Sequence, residues 1–356
     1  MLKKCSPLVL FLLLSACRPS LDQELESRLG EVIKPADPGL AVLVLRDSTV
    51  LFERCLGLAD LESAAPIRSA TNFRLASVTK QFTASAILLL ADDGSLRLEQ
   101  SLAEFFPEYP AYGSTVTLSH LLTHTSGVPD YEELMSDTAT VPVLDGDVLS
   151  LLLTQDRPLF PPGSRFQYSN SGYVLLGLVV EKVSGLRFAD FLEQRIFRKL
   201  GMGSTVAFEN GISIVPHRAF GHTPDTATAG GFRRTDQSLT SSTLGDGGVY
   251  SSLEDLRLWA AELARPQVLD QELLGEAMSA KVATNREGES YGYGYYVTEH
   301  AGARCIRHSG STVGFRNELQ RYPDFGLTVI VLANRVDIDA TGIAFALAER
   351  VLEQRD

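Results

Sequence analysis

Cysteine is scarce in this chain, with four in 356 residues. Two of them, Cys5 and Cys17, sit at the extreme N-terminus, which leaves Cys55 and Cys305, too few for a disulfide-built scaffold. The six histidines (His120, His124, His217, His222, His300, His308) are scattered without ligand spacing, and neither Cys-x-x-Cys nor His-Glu-x-x-His occurs. No metal and no other cofactor is implied. Positive charge is in deficit, 32 Lys and Arg against 44 Asp and Glu for a net charge of −12, which argues against a nucleic-acid partner. The single tryptophan, Trp259, lies in the apolar stretch Leu253 to Leu263 and is expected in the core. The apolar run Leu8 to Leu14 is too short to span a bilayer.

That run follows Lys3 and Lys4 and precedes Ser15-Ala16-Cys17, so residues 1–16 read as an export signal. Leu14 is a poor residue for ordinary signal cleavage. Leu-Ser-Ala-Cys instead resembles a bacterial lipoprotein box, implying cleavage before Cys17, lipid on that cysteine, a short tether over 17–21 and anchoring to a membrane of the cell envelope on its periplasmic side. The alternative is a secreted soluble protein. Arg18 in place of aspartate gives no inner-membrane retention signal.

The rest of the chain, 44% hydrophobic overall, is long enough for a large core in one or two interlocked domains. It is organised around Asn72-Phe73-Arg74-Leu75-Ala76-Ser77-Val78-Thr79-Lys80. Ser77 and Lys80 stand three apart where a helix begins, hence on one face, with the amine within reach of the hydroxyl. The segment that follows, Thr83 to Ala91, is small or apolar on every side and predicts a buried helix. Desolvation there lowers a lysine's pKa toward the range where it accepts a proton. Elsewhere, leucines at four-residue spacing predict a helix over 21–33, residues 39–58 a hairpin, and residues 95–290 a run of helical segments broken by loops. Period-two patterning predicts hairpins over 291–308 and 315–333, and a last helix covers 340–353. The two ends therefore share one sheet, because neither set of hairpins could bury both faces alone. His124, inside Leu-Thr-His-Thr-Ser-Gly, reads as a turn-ordering residue rather than a catalytic one.

Three motifs in chain order, Ser77-Val78-Thr79-Lys80, Tyr168-Ser169-Asn170 and His308-Ser309-Gly310, together resemble the penicillin-recognising serine hydrolases. The Tyr-x-Asn form is similar to the branch containing class C β-lactamases, D-alanyl-D-alanine carboxypeptidases and esterases. The resemblance covers about 22–354, with support from Leu200-Gly201-Met202, Gly247-Gly248-Val249 and Gly314-Phe315. It implies an α+β fold of the β-lactamase/transpeptidase type: an antiparallel sheet from both chain ends (22–65 and 290–354), flanked by helices, with a large mostly helical insert (66–289).

The resemblance also implies roles. Ser77 is the nucleophile, and Lys80 and Tyr168 share proton traffic, with the Lys80 charge favouring tyrosinate character in Tyr168. Asn170 orients substrate and Lys80, and the backbone N–H groups of Ser77 and Ser311 form an oxyanion hole beside the strand of His308, Ser309 and Gly310. The family's β-lactamases most often carry lysine where this chain has His308; a histidine there would read a substrate carboxylate only while protonated. In the family's sheet the strands bearing Cys55 and Cys305 are expected at opposite edges, too far apart to bridge. Three readings stay open: an acyl-serine hydrolase of D-amino-acid peptides or esters, a β-lactamase proper, and a non-catalytic penicillin-binding envelope protein.

Overall fold

The computed structural model describes residues 19–29, 33–228 and 230–353. The leader 1–16 and Cys17 lie outside the described residues. Strand β1 (Leu40–Arg46) is apolar from Leu40 to Leu45, and each of those residues is at most 1% exposed, as a strand covered on both faces requires. It pairs on one side with β2 (Thr49–Leu56), closing the expected hairpin.

On its other side β1 pairs antiparallel with a strand from the far end of the chain, Leu327–Ala333, in the register Leu40↔Ala333 to Arg46↔Leu327. With Val282–Ala283 (β3), Ser290–Tyr291 (β4), Tyr296–His300 (β5), Ala303–Thr312 (β6), Phe315–Tyr322 (β7) and Leu327–Ala333 (β8), the sheet runs in the order β3-β4-β5-β6-β7-β8-β1-β2. The two chain ends thus share one eight-stranded sheet.

Alternation along the strands builds two cores. Leu40, Val42, Val44, Cys305, Val329 and Val331 face helices α1 (Leu21–Leu29) and the C-terminal Ala340–Leu352, while Ala41, Leu43, Leu45, Ile306, Ile330 and Leu332 face the helical part. Helix α1 begins where Ser20 and Gln23 exchange hydrogen bonds, each backbone N–H donating to the other's side chain, a capping box.

The helical part is built on α2 (Lys80–Asp92), α3 (Asn170–Ser184) and α4 (Leu253–Ala264). Every residue of α2 from Lys80 to Leu90 is buried. Trp259 of α4 is core, as expected: its ring lies 4.6 Å from that of Phe82, and its Nε1–H donates to Gln81 Oε1 at 2.8 Å.

Four sequence expectations are corrected. The stretch 291–300 is two short strands, β4 and β5, which pair with each other across residues 292–295; alternation of tyrosine and glycine there hides the reversal. The sheet begins upstream of 290, at β3. The middle of the chain also contains a small sheet, Phe73–Arg74, Val249–Ser251 and Val206–Ala207, which the helical periodicity around it masks. Finally, β2 is an edge strand but β6 is interior, four strand steps away.

At strand spacing, four steps separate Cys55 from Cys305 by roughly 19 Å, and the two side chains face opposite cores. Both are free thiols. Denaturation without reductant is expected to expose two reactive thiols, at Cys55 and Cys305. A Cys55–Cys305 crosslink in a non-reduced digest would contradict this strand order.

Candidate active site

The strand Phe73–Arg74 delivers the chain to a short 3-10 turn, Ala76–Thr79, that runs into α2. Leu75 N–H donates to Val249 O at 2.8 Å, and Ala76 has φ +50°, a left-handed conformation in a residue with a Cβ. This bend leaves Ser77 partly exposed between buried neighbours. Thr79 Oγ1 takes the Val249 N–H at 3.1 Å and Thr83 donates to Gly245 O at 2.6 Å, so the 3-10 turn and α2 together pin the loop 245–249 over the start of the helix.

Lys80 has no exposed surface. Its Nζ lies 3.2 Å from Ser77 Oγ, 2.8 Å from Asn170 Oδ1 and 2.9 Å from the carbonyl oxygen of Asp246. A neutral amine satisfies this set with two N–H donors, to Asn170 and Asp246, and keeps its lone pair for the Ser77 hydroxyl proton. Burial lowers the Lys80 pKa to about 8, against the opposing pull of Asp246, Asp130 and Glu132. The ammonium is thereby disfavoured by roughly 3 kcal/mol relative to the same group in water.

Asn170 is the first residue of α3, and its backbone N–H is capped by Asp130 Oδ2 at 2.6 Å. Its side chain bridges Lys80 and Glu132, donating to Glu132 Oε1 at 3.1 Å. Tyr168, two residues earlier, lies beside Ser77, and its ring centroid is 4.9 Å from Lys80 Nζ. The expectation of tyrosinate character is not met. Burial pushes the Tyr168 phenol well above its ordinary range, and Asp246, Asp130 and Glu132 push it further, so it holds its proton.

His124 orders more than its own turn. It too adopts a left-handed backbone, φ +57°. Its carbonyl takes the Gln167 N–H at 2.8 Å and its Nδ1 the Ser169 N–H at 3.1 Å, clamping the chain on both sides of Tyr168, while its ring lies 4.2 Å from the Tyr168 ring.

His308 is 1% exposed, with its ring 6.4 Å from that of Tyr168. Nδ1–H donates to Ser309 O at 2.7 Å, which leaves Nε2 to accept from Tyr291 OH at 3.0 Å. Burial first, then the Lys80 charge, lowers its pKa to about 3. This corrects the expected pH-dependent anion reader: the imidazole is neutral across physiological pH and both nitrogens are occupied. Its neighbours on β6 do shape the site. Gly310 lies so close to the turn before Ser77 that an added Cβ would stand 2.0 Å from Leu75 O, and Ser311 lines one cleft with Ser77, Asn170, Glu132 and Asp246. Among the described residues no group of His, Cys, Asp or Glu could hold a metal ion.

The structure therefore brings together Ser77, Lys80, Tyr168, Asn170 and Ser311. It adds Asp130, Glu132 and Asp246, which sequence reasoning missed. The one available signal was position: Asp130 directly follows Leu-Thr-His-Thr-Ser-Gly-Val-Pro, and Asp246 directly precedes Gly247-Gly248-Val249.

A sequence model described as Beta-lactamase matches residues 26–351. The chain belongs to the beta-lactamase family. Similar proteins include a penicillin-binding protein of Bacillus subtilis (strain 168), 31% identical over 307 residues, covering 83% of this chain and 67% of that one. Esterase EstB of Burkholderia gladioli is 32% identical over 315 residues, covering 77% and 79%. A D-aminopeptidase of Cereibacter sphaeroides (strain KD131 / KCTC 12085) is 27% identical over 300 residues, covering 83% of this chain but only 57% of its own. Among solved structures, the octameric penicillin-binding protein homologue from Pyrococcus abyssi aligns with a TM-score of 0.82 at 26% identity, over 94% of this chain and 77% of that one.

The sign of the pH dependence follows from Lys80. Protonated, it has no lone pair for Ser77. Fluorophosphonate labelling of Ser77 is expected to accelerate as pH rises, along one limb with apparent pKa about 8. A limb near pH 6.5, about the ordinary value for histidine, would transfer the role to an imidazole.

Proposed function

We propose that the protein is a serine hydrolase that forms an acyl-enzyme on Ser77 and cleaves an amide or ester bond in a D-amino-acid peptide, a carboxylic ester or a β-lactam-like substrate. The observation that carries this reading is the fully buried Lys80, held 3.2 Å from Ser77 Oγ with its two other contacts on acceptors. Ser77 Oγ attacks the carbonyl carbon and its proton passes to Lys80 Nζ. The oxyanion is held by the backbone N–H groups of Ser77 and Ser311. Tyr168, a neutral phenol in contact with Ser77, gives its proton to the leaving nitrogen or oxygen and regains one from Lys80. In the second half, water attacks the acyl carbon while its proton returns through the same pair, restoring Ser77. The penicillin-binding, aminopeptidase and esterase names among the relatives support acyl transfer to serine and leave the acyl group open.

The reading extends to location. Lys3-Lys4, the run Leu8 to Leu14 and Leu14-Ser15-Ala16-Cys17 support export and a lipid anchor on Cys17, facing the periplasmic side of a bacterial envelope.

Ser77→Ala is expected to abolish turnover and covalent labelling by a fluorophosphonate or a fluorescent penicillin while circular dichroism and melting stay close to the parent, since a partly exposed hydroxyl contributes little to stability. Persistent labelling of that variant would remove Ser77 from the role. For the anchor, Cys17→Ser, or blockade of lipoprotein processing, is expected to leave a larger precursor. Normal cleavage and soluble release of Cys17→Ser would instead favour a secreted protein.

A further inference from the structure

Along β7 the side chains that face the helical part are Phe315, Asn317, Leu319 and Arg321, so the last position puts a charge where the alternation calls for an apolar residue. Arg321 stands across from Ile306 of β6, which belongs to the same core, and is 8% exposed. Its Nε is buried without a partner. The two Nη groups keep some surface and donate to nothing among the described residues. Arg321 lines a cavity of about 220 Å³ between the end of α4, the helix Gln271–Ala277 and strands β6 and β7. Arg304 of β6 lines it too. Arg304 Nη2 donates to Met278 O at 2.6 Å, and its remaining donors are unengaged among the described residues.

A buried guanidinium does not shed its proton in a protein, so a missing counter-charge costs stability at every physiological pH. Burial lowers the Arg321 pKa below the ordinary arginine value, against the pull of Asp47 and then Tyr295, and the group stays charged. The acids nearby do not neutralise it. Glu262 spends both carboxylate oxygens on the backbone N–H groups of Gln267, Val268 and Leu269 at 2.8, 2.9 and 2.9 Å. Glu276 lies 3.6 Å from Lys281. Glu299 faces Arg304 in the strand register yet forms no ion pair among the described residues. The rest of the lining is apolar, with Leu263, Leu274 and Ile306 in its walls and Gln271 as its one uncharged polar side chain. No lining residue is shared with the Ser77 cleft.

We propose that this cavity is a second binding site, separate from the Ser77 cleft, for a small organic carboxylate with an apolar body. The guanidinium fork of Arg321 matches the two oxygens of a carboxylate, and the exposed Arg304 adds a second cation at the opening. The apolar walls take a ring or hydrocarbon chain. A bare phosphate or sulfate would instead leave oxygens against leucine and isoleucine side chains with no donor to satisfy them. At about 220 Å³ the cavity is smaller than pockets for drug-sized ligands, which suits a single ring or a short chain. The site does not depend on the chemistry of Ser77.

Isothermal titration calorimetry of the full chain with benzoate tests this, with benzyl alcohol as a neutral counterpart of similar shape and inorganic phosphate as a bare oxyanion. Benzoate is expected to bind one to one, roughly tenfold or more tighter than either control. Arg321→Met keeps the apolar stem and removes the charge. It is expected to weaken benzoate by roughly tenfold or more while fluorophosphonate labelling of Ser77 stays unchanged. Its melting temperature should hold or rise, because an unpaired buried charge has gone. Arg304→Gln, at an exposed position, should weaken benzoate in the same direction, and it decides alone if Arg321→Met does not fold. Blocking Ser77 with a fluorophosphonate beforehand should leave benzoate binding intact. No binding of benzoate, equal affinity in the parent and the variants, or loss of binding once Ser77 is blocked overturns the site. Benzyl alcohol bound as tightly as benzoate removes Arg321 from the role, and phosphate bound more tightly than benzoate overturns the organic carboxylate.

Discussion

The site depends on the burial of one amine. Lys80 sits in the first turn of a helix whose every face is covered, and with no exposed surface it has only protein acceptors to satisfy it. Two are provided, from separate stretches of chain, Asn170 from the start of α3 and the Asp246 carbonyl from a loop pinned by Thr79 and Thr83, while Ser77 in the preceding turn faces the lone pair. Remove the burial and the lysine returns to its ordinary charge. Remove either acceptor and the lone pair is no longer directed at Ser77. The same low-dielectric surroundings that make Lys80 a base at near-neutral pH keep Tyr168 and His308 neutral, so the site holds one proton acceptor and a phenolic proton donor.

A second layer holds the first in register. The imidazole of His124 stacks on Tyr168 and lies 4.7 Å from the Tyr291 ring, whose hydroxyl reaches His308. Burial holds the pKa of both imidazoles below the ordinary histidine value, and both act as shaped, hydrogen-bonding spacers between the helical part and strands β4 and β6. Gly310 completes the arrangement by letting β6 lie directly against the turn that carries Ser77. The carboxylates Glu132 and Asp246 then face a cleft whose other wall is Ser311. Charge in the cleft is thus set by Glu132 of the short helix Tyr131–Leu134, Asp246 of a loop and Arg74 of a strand, whereas the Ser77 hydroxyl is set by the 3-10 turn that leads into α2.

Local relations were legible in the chain itself. Three-residue spacing on a helix brings Ser77 and Lys80 together whatever else the chain does, and apolar runs fix β1, β8 and the buried α2, because side-chain periodicity and backbone geometry are short-range properties. Tyr168 and Asn170 sit two apart at a helix entry and carry their own signal. Relations across the chain had to come from packing. Asp130, Glu132 and Asp246 bear no spacing to Lys80, and only the docking of their loops on α2 and α3 places them at the amine. The interior position of β6 and the reversal between β4 and β5 were likewise decided by strand pairing. Whether Tyr168 or Lys80 yields its proton, and whether His308 is ever charged, was settled by burial, since a pKa in a folded protein is fixed by solvent access and by charges brought near from distant parts of the sequence.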